Sequence, residues 1–149
     1  MNTYLPKIGA VMYIIWGLLH LKAAMSVYQL GTTLEPGMVQ GRIFQDAGNL
    51  LFFAAVSIFV AMKWNWKNNS FGYWINLITV SVTDIGFIAF ILIPGFLPIF
   101  PGILGPIFWG LGVFFSAAGL ISSKYHPPNN TRWAGNLQLV FPTWKRTCE

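Results

Sequence analysis

Charge is what this sequence lacks most. Only 9% of its 149 residues are charged, whereas soluble domains carry roughly 25%. A surface so poor in charge cannot be covered against water, so the water-soluble globular classes are excluded. Lipid must be the solvent for most of it. Cysteine is nearly absent too. Cys148 stands alone, which excludes a disulfide framework and a thiolate cluster, and its penultimate position does not fit a prenylation box. No pair of cysteines or histidines falls at ligand spacing, so neither a structural metal nor a bis-histidine haem is expected. No glycine-rich phosphate loop follows a strand. No cofactor is expected. The net charge of +5 does not point to nucleic acid, because the basic residues flank apolar runs instead of covering a polar face.

What is present in abundance is apolar and aromatic. The composition is 55% hydrophobic and 17% aromatic, with a mean hydropathy of +0.58. Four apolar runs stand out, at about 8–30, 43–62, 73–93 and 103–121. Each is close to the roughly 20 residues that cross about 30 Å of hydrocarbon. The expected fold is all-α: an integral membrane bundle of four transmembrane helices over 1–121, followed by a cytoplasmic or interfacial tail over 122–149. The first run has the flavour of a signal peptide, with Lys7 before it and Ala23-Ala24 near its end. Since the chain starts at Met1, it reads as a retained helix.

Lysine and arginine set the expected orientation. Lys7, Lys63, Lys67, Lys124, Arg132, Lys145 and Arg146 fall on one side, and only Lys22 and Arg42 on the other. The positive-inside rule then puts both termini in the cytoplasm, of a bacterial or archaeal plasma membrane. The connections differ in character. Residues 31–41 form an outer loop broken by Gly31, Pro36 and Gly37. The stretch 94–102 has three prolines, two glycines and no polar side chain, and reads as a cap folded over the outer end. In the tail, Trp133, Leu137, Val140, Phe141 and Trp144 recur at helical spacing beside basic residues, as in an interfacial anchor. Two glycosylation-type triplets, at Asn68 and Asn129, lie on the cytoplasmic side and read as chance matches.

The polar residues inside the runs are the candidates for function. An ionisable group at membrane depth is costly and marks function by default. Asp46 and Asn49 are three apart on one face of the second run, with Gln45 beside them. Counting 1.5 Å per residue from the cytoplasmic boundary puts Asp84 at about 16 Å, His20 at about 18 Å, Asn49 at about 21 Å and Asp46 at about 25 Å. These depths suggest one pocket in the outer half. Asp84, Asp46 and His20 would be its catalytic groups. Asn49, Gln45, Tyr13, Trp16 and Thr83 would be its substrate-binding wall. Each has a plainer reading as well. His20 could be an interhelical hydrogen-bonding group, Asp84 a structural ion pair with it, and Asp46 a partner of Arg42 one turn away. The last run carries Gly105, Trp109, Gly112, Ser116 and Gly119 along one stripe. Small residues there let a neighbouring helix approach closely, whether within the chain, in a homo-oligomer or in a larger membrane complex.

Three functions fit these features. The first is binding and transformation of a small lipophilic molecule by two carboxylates held in unlike surroundings, one an acid and one a base. Isomerisation, cyclisation and epoxide opening need nothing more. The second is a non-catalytic subunit docked through the glycine stripe and tail. The third is proton-coupled or ion transport, against which stands the nearly apolar character expected below His20 and Asp84.

Overall fold

The computed structural model describes residues 4–125. The amphipathic tail read from the sequence, with both Asn129 and Cys148, lies outside the described residues. Within them the chain is all-helical. Helix α1 spans Tyr4–Thr32, α2 Met38–Lys63 and α3 Ser70–Phe87, with a single π-helical turn, Ile88–Leu92, extending α3. A short α4 (Ile99–Gly102) precedes α5, Leu104–Tyr125. Four of these helices are long and apolar enough to cross a membrane. They match the four apolar runs, but α1, α2 and α5 extend past them into polar sequence. Helix formation requires only backbone pairing, and residues such as Thr32, Gln40 and Arg42 continue it beyond the runs. The outer connection is therefore tighter than the eleven residues of 31–41. It is tied by Gln40 Nε2, which donates to the carbonyls of Gly31 and Leu34 at 3.1 Å each.

Helix α1 is the central element. Its most extensive packing is against α2 and α5, while α3 leans on α2 and α5. The reason is visible in its small residues. Gly9 and Ala10 are buried with Tyr13, Trp16 and Gly17 between them and His20. A Cβ at Gly112 of α5 would sit 3.1 Å from the Tyr13 ring, and one at Gly119 3.0 Å from Pro6. Gly9 lies against Ser116, and Gly105 against His20. The register runs oppositely along the two helices in equal steps, so α1 and α5 are antiparallel and in backbone-close contact. The stripe Gly105, Gly112, Ser116, Gly119 is thus filled from within the chain. A partner docked on it would have to displace α1. On α2 the inward side is Ala47, Ala54, Ser57 and Ala61, all buried.

Of the seven basic residues expected on one side, Lys7 and Lys63 sit against aromatic rings near the α2–α3 turn, while Arg132, Lys145 and Arg146 lie outside the described residues. Lys7 lies over the Trp66 ring at 5.9 Å, and Lys63 over Phe59 and Trp64 at 5.2 and 5.3 Å. Asn68 Nδ2 donates to the Gly119 carbonyl at 3.1 Å, fastening the α2–α3 turn to the same end of α5.

The 94–102 stretch does not fold over the helices. Phe96, Ile99 and Phe100 are each more than 70% exposed, as is Ile93 just before them. The loop closes on itself, through Leu97 and Leu92 against Gly102, and points its apolar side chains outward. Without polar groups it has no bond to make with the helix ends, so nothing draws it across them.

Candidate functional site

Helix α3 meets the other three long helices through three side-chain hydrogen bonds. Asn76 Nδ2 donates to the Ser57 carbonyl of α2 at 3.4 Å, Trp109 Nε1 of α5 donates to Ser81 Oγ at 3.0 Å, and Trp16 Nε1 of α1 donates to Asp84 Oδ2 at 2.8 Å. The third of these is the centre of the candidate site. Residues four apart on a helix share a face. Gly72, Asn76, Val80 and Asp84 are accordingly all buried on one side of α3. On α1 the same spacing stacks His20 on Trp16, ring centroids 3.8 Å apart. Trp16 and Asp84 have no exposure at all, and His20 has 7%.

The hydrogen positions follow from chemistry. His20 Nδ1 lies 2.9 Å from the Trp16 carbonyl oxygen. A carbonyl can only accept, so Nδ1 carries the hydrogen in this bond and Nε2 is left on the other edge of the ring. Nε2 faces Asp84 Oδ1 at 3.6 Å, and Oδ1 has no hydrogen-bond partner among the described residues. A lone charge so buried is strongly disfavoured. A single hydrogen, placed either on Oδ1 with a neutral imidazole or on Nε2 with a carboxylate, would let the two atoms bond to each other. Both arrangements are neutral as a pair. Gly105 forms the third wall, since a Cβ there would fall 3.0 Å from His20 Cε1 and 3.6 Å from Asp84 Oδ1.

Of the residues the sequence suggested, the structure brings together Asp84, His20 and Trp16, with Tyr13 one turn along the same buried face of α1. Trp16 is the carboxylate's hydrogen-bond donor, a larger role than pocket wall. Thr83 is half-buried and donates to its own helix, at the Thr79 carbonyl. Asp46, Asn49 and Gln45 do not join the cluster. All three are exposed, and no hydrogen bond or ion pair links them to His20 or Asp84 among the described residues. The expected i to i+4 pair is not formed either, because Arg42 Nη1 donates to Gln45 Oε1 at 2.9 Å. Similar depth had suggested one pocket, but Gln45 and Asn49 lie on the other side of α2 from Ala47 and Ala54, and Asp46 lies about 80–100° around from them.

Sequence reasoning missed a second set of buried polar groups. Asn76, Ser57 and Ser116 are at most 4% exposed. Asn76 Oδ1, Ser57 Oγ, Ser116 Oγ and Tyr13 Oη have no hydrogen-bond partner among the described residues. They come from four helices, on the basic side of Asp84, so that half of the protein is not the apolar plug expected. The spacing Gly72, Asn76, Val80, Asp84 was the signal available. Among the described residues, no group of three or more His, Cys, Asp or Glu side chains is placed to hold a metal ion. In comparisons with known proteins, no family model, no curated protein and no solved structure matches the chain.

Proposed function

We propose that this is a transmembrane four-helix bundle with both termini cytoplasmic, whose Asp84–His20 pair is a one-proton acid–base site for a small lipophilic molecule. The observation that carries the reading is Asp84 Oδ1, buried without a hydrogen-bond partner among the described residues and 3.6 Å from His20 Nε2. Trp16 holds the other carboxylate oxygen and fixes the histidine tautomer through its carbonyl. One carboxylate and one imidazole replace the two carboxylates expected from depth alone. Isomerisation or cyclisation would proceed with Asp84 giving a proton to the substrate and His20 Nε2 taking one from it, and epoxide opening with Asp84 protonating the ring oxygen while His20 takes a proton from the attacking water. Asp46 has no part in it.

Asp84→Asn tests this sharply. Asparagine can still accept from Trp16 and donate to a neutral His20 Nε2, so the fold is retained while the carboxyl proton is lost. The expected result is unchanged thermal stability in lipid, loss of a carboxyl band in the infrared spectrum, and loss of turnover on a panel of lipophilic epoxides and β,γ-unsaturated ketones. A stable variant that turns over any of them as fast as the native chain would end the acid–base reading.

A second reading, proton-coupled transport, is favoured by the buried polar groups Asn76, Ser57, Ser116 and Tyr13, which supply polar atoms between Asp84 and the basic end. Acidification driven across vesicles by an imposed potential, abolished in Asp84→Asn, would favour transport over transformation.

A further inference from the structure

The outer half of α2 carries a feature the proposed site does not use. Arg42, Gln45, Asp46 and Asn49 are all exposed, and at 100° per residue they occupy about 100° of the helix circumference. By the count of depth above, Asn49 lies about 6 Å and Asp46 about 10 Å from the middle of the hydrocarbon layer, inside its half-thickness of about 15 Å. Polar and ionisable side chains at such depth face protein or water, because lipid offers them no partner. Here they face neither α1, which packs on Ala47 and Ala54, nor any other described segment. Beside them the backbone is bare. A Cβ built at Gly41 or at Gly48 would meet nothing within 4 Å.

We infer that this face of α2 pairs with the same face of a second copy of the chain, about a twofold axis along the membrane normal. The chemistry of the face selects that occupant. It carries one cation and one anion a turn apart, so two copies side by side can exchange charge: Arg42 of each reaches toward Asp46 of the other. Gln45 and Asn49 meet their own counterparts at equal depth. An amide is both donor and acceptor, and is therefore complementary to itself. A symmetric contact of this kind uses one patch twice. Gly48, about 60° around from Gln45, leaves that edge of the face bare. A purely basic or purely acidic face would have called for a different partner, and this one is balanced. The glycine stripe of α5 is occupied by α1, and the exposed faces of α3 and α5 carry apolar side chains such as Val82 and Phe114 in place of the charges and amides of α2.

The test uses the full chain with Cys148→Ser as background. Asn49→Cys should form an oxidative cross-link between copies in native membranes. Ile78→Cys, on the exposed side of α3, should not. Single-molecule photobleaching in vesicles of increasing lipid dilution should show pairs that separate. Asp46→Leu and Asn49→Leu should each weaken pairing roughly tenfold, although both make the isolated copy more soluble in lipid. These variants should retain the native thermal stability of the isolated copy, because the residues lie outside its core. Single particles at every dilution would overturn the inference. So would cross-linking of Ile78→Cys as readily as Asn49→Cys, pairing that survives both leucine replacements, or a different protein found cross-linked at Asn49 in place of a second copy.

Discussion

Two aspartates lie in the long helices, and the protein treats them oppositely. Asp84 is enclosed on α3, with an indole donor on one oxygen and an imidazole opposite the other. Asp46 is open on α2, with no partner among the described residues. Near-equal depth does not make equal surroundings. What separates them is azimuth: α3 turns its Gly72–Asp84 face toward three helices, whereas the outer half of α2 touches chiefly α1 through alanines. An acid buried among its own chain's side chains has its charge state decided by them. An acid facing outward from the same depth has it decided by whatever comes alongside.

That contrast can be broken most forcefully at the buried end. Asp84→Ala removes the acceptor of the Trp16 indole and leaves both it and His20 unsatisfied in the core. A loss of roughly 3 kcal/mol is expected, read as the midpoint of unfolding in mixed detergent. Gly112→Leu should follow, at roughly 1–3 kcal/mol, because its side chain would collide with the Tyr13 ring across the α1–α5 contact. Unchanged thermal stability in that variant would contradict the packing of the glycine stripe. Trp16→Phe keeps most of the ring and deletes only the N–H. It should cost about 1–2 kcal/mol and, unlike Gly112→Leu, should shift the carboxyl infrared band of Asp84. Asp46→Asn is the smallest: within about 0.5 kcal/mol of native for the isolated copy. A change as large as that of Asp84→Ala would mean the two acids share one environment after all.

The fold was legible because lipid imposes a length, and four runs of that length are hard to mistake. The ends were less so, since helices continue through Gln40 and Arg42 beyond the apolar runs. The meeting of His20 with Asp84 was legible from counting residues inward from each boundary. Counting yields height and says nothing about direction around the axis. For α1 the direction was supplied by Tyr13, Trp16, Gly17 and Ala24 at three- and four-residue steps. For α2 the corresponding marker was Ala47, Ala54 and Ala61, a small residue every seventh position, and it points away from Asn49 by roughly 200°. Read with that marker, Asp46 and Asn49 would have been placed outside the pocket. Asn76 was hidden for another reason. An asparagine amid Tyr73, Trp74 and Ile75 looks like the start of a helix, and only the four-residue step to Asp84 reveals its depth.

The three hydrogen bonds of α3 carry a mechanical meaning. Among membrane helices the hydrophobic effect exerts no pull, and smooth apolar surfaces slide past one another at little cost. Asn76, Ser81 and Asp84 pin α3 to α2, α5 and α1 in turn, at three heights and in three directions. Sliding by one residue, about 1.5 Å along the axis, or turning to follow, would strain all three at once. The helix therefore has one seat, and Asp84 is one of the three fasteners that hold it there.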